Sequence, residues 1–175
     1  MEISLKTLKR IGIVLLLLAL IAVTLLTTSG TWMPYMPWYE TPPLGPDQIA
    51  MMGAERFFSM DIDKGSEVWL AEICEISTEL ACFHHEEIFL GLFWPSVERD
   101  QKRIETEALT AELFKDYTED ITHYQAFEVE LISVDKDTRE ENMGTFFVLV
   151  SEWTKDDWKF NRVLFDAEVE EIKGK

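Results

Sequence analysis

Positive charge is scarce in this chain. Its 175 residues hold 16 Lys and Arg against 33 Asp and Glu, a formal net charge of −17. Lys6, Lys9 and Arg10, opposed by Glu2 alone, give the first ten residues +2, so the remainder carries −19. A surface of that sign repels phosphate backbones and anionic headgroups, because binding to either relies on Lys and Arg displacing counterions. Nucleic acid is therefore not an expected partner. Catalytic signatures are missing too: there is no Ser-based nucleophile elbow, no phosphate-cradling loop and no His-rich motif, and His occurs three times in all. Nothing in the sequence asks for a cofactor or a resident metal. Cysteine is limited to Cys74 and Cys82. What is not lacking is apolar material: 47% hydrophobic and 12% aromatic residues are too many for a chain that cannot build a core, so the acidic part is expected to fold.

The longest apolar run, Ile11 to Leu26, holds no charge and reaches membrane-span length with Thr27 and Thr28. At about 1.5 Å per residue, 16 to 18 residues cover roughly 24 to 27 Å, extendable through Ile3, Leu5 and Leu8 towards a bilayer core of about 30 Å. A cleaved signal peptide is the competing reading. Its apolar core is usually shorter, no Ala-x-Ala pattern follows the run, and no cysteine stands there to carry a lipid. A retained anchor is the preferred reading, and Lys6, Lys9 and Arg10 before it put the N-terminus in the cytoplasm. Trp32, Tyr35, Trp38 and Tyr39 come next, interleaved with prolines, and read as a membrane-interface belt running into a stiff spacer. A Pro-rich ligand for a recognition domain is the alternative. The expected plan is a cytoplasmic tail over 1–10, a transmembrane anchor over 11–28, an aromatic and proline-rich linker over 29–46 and one extracytoplasmic domain over 47–175. Membrane lipid is thus a partner through the N-terminal helix.

Within the domain, Asp47 to Met60 has a broad apolar face and a capping Asp47, and predicts a helix. Asp61 to Gly65 breaks it, and Ser66 starts a second helix to about Ile76. Ser77 to Phe93 is too apolar for a free loop and should pack as helical turns; Pro95 should stop one helix and start another. Ser96 to Thr106, with Val97 and Ile104 on one stripe, reads as helical, and Leu109 to Tyr117 as its continuation or a separate turn. Beyond residue 122 the period changes to two. Strands are expected over Tyr124–Val134, Met143–Thr154 and Trp158–Val169, joined by turns at Asp135–Glu141 and Lys155–Asp157. Helices followed by an antiparallel meander make an α+β plan in which the helices cover the sheet.

Helix FFSMDIDKGSEVW, helical matter, then strands FEVELISVD, FFVLVSEW and WKFNRVLFD resemble the nuclear transport factor 2-like (cystatin-like cone) superfamily, in its membrane-anchored bacterial type. The resemblance rests on Phe57 and Phe58 at the end of the first helix, the DxDKGS turn, and the strand opening with Trp158, Lys159 and Phe160; it covers about Asp47 to Val169. It implies a curved antiparallel sheet wrapped on a helix. Because that superfamily holds enzymes, scaffolds and binding modules, it implies fold far more than function.

Four constellations carry candidate chemistry. Cys74 and Cys82 lie on the expected oxidising side and are candidates for a disulfide, with two small buried thiols as the other reading. His84, His85, Glu86 and Glu87 are rich in ligand atoms, but consecutive helical residues diverge by about 100°, leaving His84 and Glu87 on a shared face; a solvated helix surface is expected instead of a metal site. Asp61, Asp63 and Glu72 match positions of a calcium loop, whereas Gly65 and Ser66 stand where an oxygen ligand and the turn glycine belong, so a capping turn is preferred. Asp116, Tyr117, His123 and Tyr124 cluster near the start of the sheet and are the candidates for catalysis by an inward group of shifted pKa. The favoured function is a non-enzymatic, membrane-tethered extracytoplasmic domain binding a partner protein, as an accessory subunit or assembly scaffold of a membrane complex. The alternative is a small-ligand-binding or enzymatic cone, and a third reading is a sensor whose acidic surface takes up divalent cations.

Overall fold

The computed structural model describes residues 43–174. The expected anchor and the belt residues Trp32, Tyr35, Trp38 and Tyr39 lie outside the described residues, among which no helix is long and apolar enough to cross a membrane.

Helix α1 (Pro46–Phe58) begins with a proline whose fixed φ suits a first turn, while the Gln48 side-chain carbonyl accepts the Gly45 N–H at 3.0 Å. Its buried stripe, Ile49, Ala50, Gly53, Ala54 and Phe57, has helical spacing and crosses all four strands of the sheet. Helix α2 (Ser66–Ile76) follows Gly65, whose φ of 82° favours glycine. Trp69 Nε1–H donates to the Phe57 carbonyl at 3.2 Å and ties α2 to the end of α1. Thr78 then caps a short helix, α3 (Glu79–His84), accepting the Ala81 N–H on Oγ1 at 3.1 Å.

From α3 the chain runs without a break through a π-helical turn (His85–Leu90) into α4 (Gly91–Asp100). Pro95 therefore neither stops nor starts a helix: it is the fifth residue of α4. Burial of Trp94 and Val97 on either side holds the helix there despite the missing N–H, and Ser96 Oγ–H donates to the Phe93 carbonyl at 2.8 Å.

A larger correction concerns Ile104 onward. Residues expected to be helical form a strand, β1 (Ile104–Glu119), paired antiparallel with β2 (Thr122–Asp135). Strands β3 (Glu141–Thr154) and β4 (Asp157–Leu164) complete one sheet of order β1-β2-β3-β4. The β1–β2 register slips between Ala108 and Thr110 and again between Leu113 and Lys115, so Ala108, Ala111, Leu113 and Asp116 face the same side as Leu131, Val129, Phe127 and Gln125. Those bulges bend the edge strand and spoil its alternation.

The third expected strand also ends early. At Phe165 the chain turns into α5 (Asp166–Lys173), because Glu168 caps it: one carboxylate oxygen accepts the Phe165 N–H at 3.0 Å and the other accepts Arg162 Nε–H at 2.9 Å. Helices α1 to α4 bury one sheet face around Phe57, Ile73, Val150 and Phe160, whereas α5 lays Val169 and Ile172 on the other against Ala126, Leu149 and Leu164. The domain is thus α+β, helices packed on a four-stranded antiparallel sheet.

Candidate functional site

The pairing of β1 with β2 sets the fate of the Asp116, Tyr117, His123 and Tyr124 cluster. Asp116 opposes Gln125, Tyr117 opposes Tyr124 and Thr118 opposes His123, so alternation sends Asp116 and His123 to one face and both tyrosines to the other. Glu152 joins the first pair from β3. His123 Nε2–H donates to Asp116 Oδ1 and Nδ1–H to Glu152 Oε2, both at 2.9 Å. Gln125 Nε2–H donates to Asp116 Oδ2 at 2.8 Å, and the Trp158 ring packs at 4.9 Å from the imidazole. Hydrogen bonds to Glu152 and then Asp116 raise the His123 pKa above 6.5. The His123 bond lowers the Asp116 carboxyl below 3.8, and the Asp156 N–H with the His123 bond lowers Glu152 below 4.5. With both ring nitrogens bound to carboxylates, the imidazole presents neither of them to a substrate or a metal. It joins three strands at one end of the sheet. Glu152 was missed from the sequence, although the Tyr124–Ser151 pairing makes it the neighbour of His123.

On the opposite face Tyr117 and Tyr124 stack at 5.4 Å and border a cavity of about 140 Å³ beneath α5, with Arg162 and Glu168. The cluster expected to act together is thus divided by the sheet itself.

The tetrad at 84–87 is not a uniformly solvated surface. His85 is 0% exposed, stacked at 5.5 Å on Phe160 and bordered by Phe57 and Phe89. Neither of its ring nitrogens has a hydrogen-bond partner among the described residues, and burial pushes its pKa down to about 4. The π-helical turn explains the placement: near four residues per turn, Ala81, His85, Phe89 and Val97 share the inner side. Among the described residues no three His, Cys, Asp or Glu side chains are arranged to hold a metal ion. In the DxDKGS turn, Asp61 accepts Lys136 Nζ–H at 3.1 Å, while Asp63 takes both Nε–H and Nη2–H of Arg103, at 2.7 and 3.0 Å. The carboxylate oxygens a calcium ion would need are engaged by these cations. Cys74 and Cys82 form a disulfide that joins α2 to α3.

The sequence did not single out the helical face itself. Beside the inner row runs another with the same four-residue spacing: Leu80, His84, Ile88 and Leu92, whose three aliphatic members are 67%, 44% and 69% exposed. Its next position, Ser96, lines a groove of about 700 Å³ between α4 and the β3–β4 end of the sheet. The groove walls are mainly aromatic, with Phe58, Phe93, Phe146 and Phe165 among them.

No family model matches the chain, and no curated protein matches it. A solved structure titled "Structure of a periplasmic fragment of TraM" is similar in fold, with a TM-score of 0.51 at 6% identity over 66% of this chain and 90% of that one. At that identity the likeness is one of fold.

Proposed function

We propose that the chain is a membrane-tethered extracytoplasmic protein-interaction domain of the nuclear transport factor 2-like kind, serving a membrane complex as accessory subunit or assembly scaffold. The single observation that carries this reading is the combination of a filled interior with an apolar outer helix face. Phe160, Ile73, Val150 and His85 occupy the space between helices and sheet with no exposure above 0%, while Leu80 and Leu92 stand out in solvent. A solid cone that shows apolar side chains outward suits a partner protein more than a reacting substrate. The likeness to a periplasmic fragment supports an extracytoplasmic setting, and the run over 11–28 supports a tether.

A second reading, small-ligand binding, draws on the aromatic groove of about 700 Å³, which is of ligand-pocket size. Affinity purification of the full chain after mild detergent extraction and gentle crosslinking separates the two. Stoichiometric recovery of another membrane or envelope protein supports the interaction domain. Recovery of the chain alone, from both crosslinked and uncrosslinked cells, overturns it.

A further inference from the structure

The helical layer is one-sided in charge as well as apolar. From Gly65 to Glu98 the sequence holds seven Glu and no Lys or Arg. Arg56 and Lys64, from outside that span, reach Glu75 and Glu72. Glu79 and Glu87, which flank the outer side of the Leu80–Leu92 row, have no cationic partner among the described residues. The row therefore has an apolar centre and an uncompensated negative rim.

Residues four apart on continuous helical backbone form a straight ridge, and this one leads at Ser96 into the groove behind Phe93. Phe165, 53% exposed, stands at the junction, stacked on Phe89 at 6.3 Å. Resting on the interaction reading above, we infer that this face docks an amphipathic helix of a partner protein, whose apolar side lies along Leu80, Ile88 and Leu92, with a large side chain entering the groove and with Lys and Arg on its flank meeting Glu79 and Glu87.

Charge selects this occupant over the others. An anionic lipid surface is repelled by the same glutamates. A second copy of this chain would bring an identical acidic rim against the first, since a two-fold interface sets a patch on itself. A basic amphipathic helix satisfies both features at once: its apolar side covers the ridge, and its cations raise the rate of encounter and reject acidic competitors.

The test uses the full-length protein in lipid nanodiscs and two synthetic amphipathic helices with one shared Leu/Phe face, their polar faces carrying Lys in one and Glu in the other. The Lys helix is expected to saturate at one per chain and the Glu helix to bind at least about tenfold more weakly. Replacing both Ile88 and Leu92 by Glu is expected to weaken the Lys helix by about tenfold or more, with the near-ultraviolet circular dichroism unchanged. Replacing Leu113 and Ile121 by Glu, on the β1–β2 hairpin, is expected to leave it unchanged. Equal binding of the two helices, or equal loss in both double variants, overturns the inference. A photo-crosslinking residue placed at Leu92 or at Leu113 in cells separates the two levels of the argument. Crosslinks to another protein through a basic helical segment at Leu92 support the docking face. Crosslinks at Leu113 alone overturn that face while the interaction reading stands, a crosslink of Leu92 to a second copy overturns the basic partner, and crosslinks at neither position overturn both.

Discussion

The ring of Phe160 fills the space that Gly53 leaves beside α1: a Cβ at position 53 would sit 2.0 Å from Phe160 Cδ2. At Gly53 the helix therefore lies directly against a fully buried aromatic, with no room for a Cβ between them. Alanine in a helix interior ordinarily gains about 1 kcal/mol over glycine. Here the extra methyl must displace a ring with no free volume around it, and overpacking of that sort costs about 1 to 3 kcal/mol. Gly53→Ala is expected to be net destabilising by up to about 2 kcal/mol in denaturant unfolding. Adding Phe160→Leu should recover part of the loss, a coupling that a double-mutant cycle measures directly. Additive effects would show that the ring does not meet the helix there.

His85 makes a different prediction. Its imidazole is buried without hydrogen bonds, so the neutral form is favoured in the folded state and its pKa falls from 6.5 to about 4. The unfolded chain then binds more protons than the folded one between those values. Stability from this site is fully present above pH 6.5 and is lost as pH falls towards 4, on the order of 3 kcal/mol in all. His85→Leu removes two unsatisfied nitrogens and is expected to stabilise the domain by about 1 kcal/mol at neutral pH. It should also flatten the acid-side decline, read as urea midpoints across pH 4 to 7. An unchanged decline in the variant would remove His85 as its source.

These two sites mark the limits of what the sequence discloses. Helices α1 and α2 are legible because Pro46, Asp47 and Ser66 punctuate apolar stripes of helical period. Strand β2 alternates over Phe127 to Leu131, and β3 carries the continuous apolar run Phe146 to Val150 of a strand covered on both faces, so both declare themselves. Strand β1 does not, because its positions on the helix-covered face, 108, 111, 113 and 116, are spaced three, two and three by the bulges, matching neither period, and the last two of them are exposed. His85 hides in the same way: a π-helical turn gives a four-residue repeat that a 3.6-residue template assigns to the wrong side. Asp116 and His123 stand out as titratable residues near each other in sequence, but their division from Tyr117 and Tyr124, and their union with Glu152, follow from strand register alone. The outward row of Leu80, Ile88 and Leu92 is read from sequence as apolar material seeking a core, since sequence carries no record of which side of a helix is already covered.

The disulfide between Cys74 and Cys82 closes a loop eight positions long at the corner between α2 and α3. In the chain-entropy account so short a loop is worth somewhat less than the ~3 kcal/mol of a 15-residue one. Reduction, or Cys74→Ser with Cys82→Ser, is expected to destabilise by about 2 kcal/mol. The loss should be local first: amide hydrogens of α3 and the π-helical turn should exchange faster while those of β2 and β3 keep their protection. Uniform acceleration across the sheet would mean that the bond supports the whole domain and not this corner.

The His123 clamp should set the alkaline side of the stability profile. With its native pKa raised above 6.5, His123 contributes stability that is complete below pH 6.5 and disappears as pH rises through the native value. Asp116 and Glu152, lowered below 3.8 and 4.5, contribute stability that is complete above those values and disappears as pH falls through the native ones. The clamp is therefore strongest between about pH 4.5 and 6.5, where all three groups are charged. His123→Gln carries no charge and has its N–H donors on a single nitrogen where the imidazole has one facing each carboxylate, so it is expected to lower the unfolding midpoint at pH 6 and to leave little pH dependence between 6.5 and 9. Glu152→Gln should keep the bond to Asp116 and shift the alkaline decline to lower pH, because His123 loses the partner that raises its pKa most. High salt should weaken the effect in the parent protein, since the three side chains are partly exposed. If the His123→Gln variant retains the parent's alkaline decline, the three-strand clamp is not its origin.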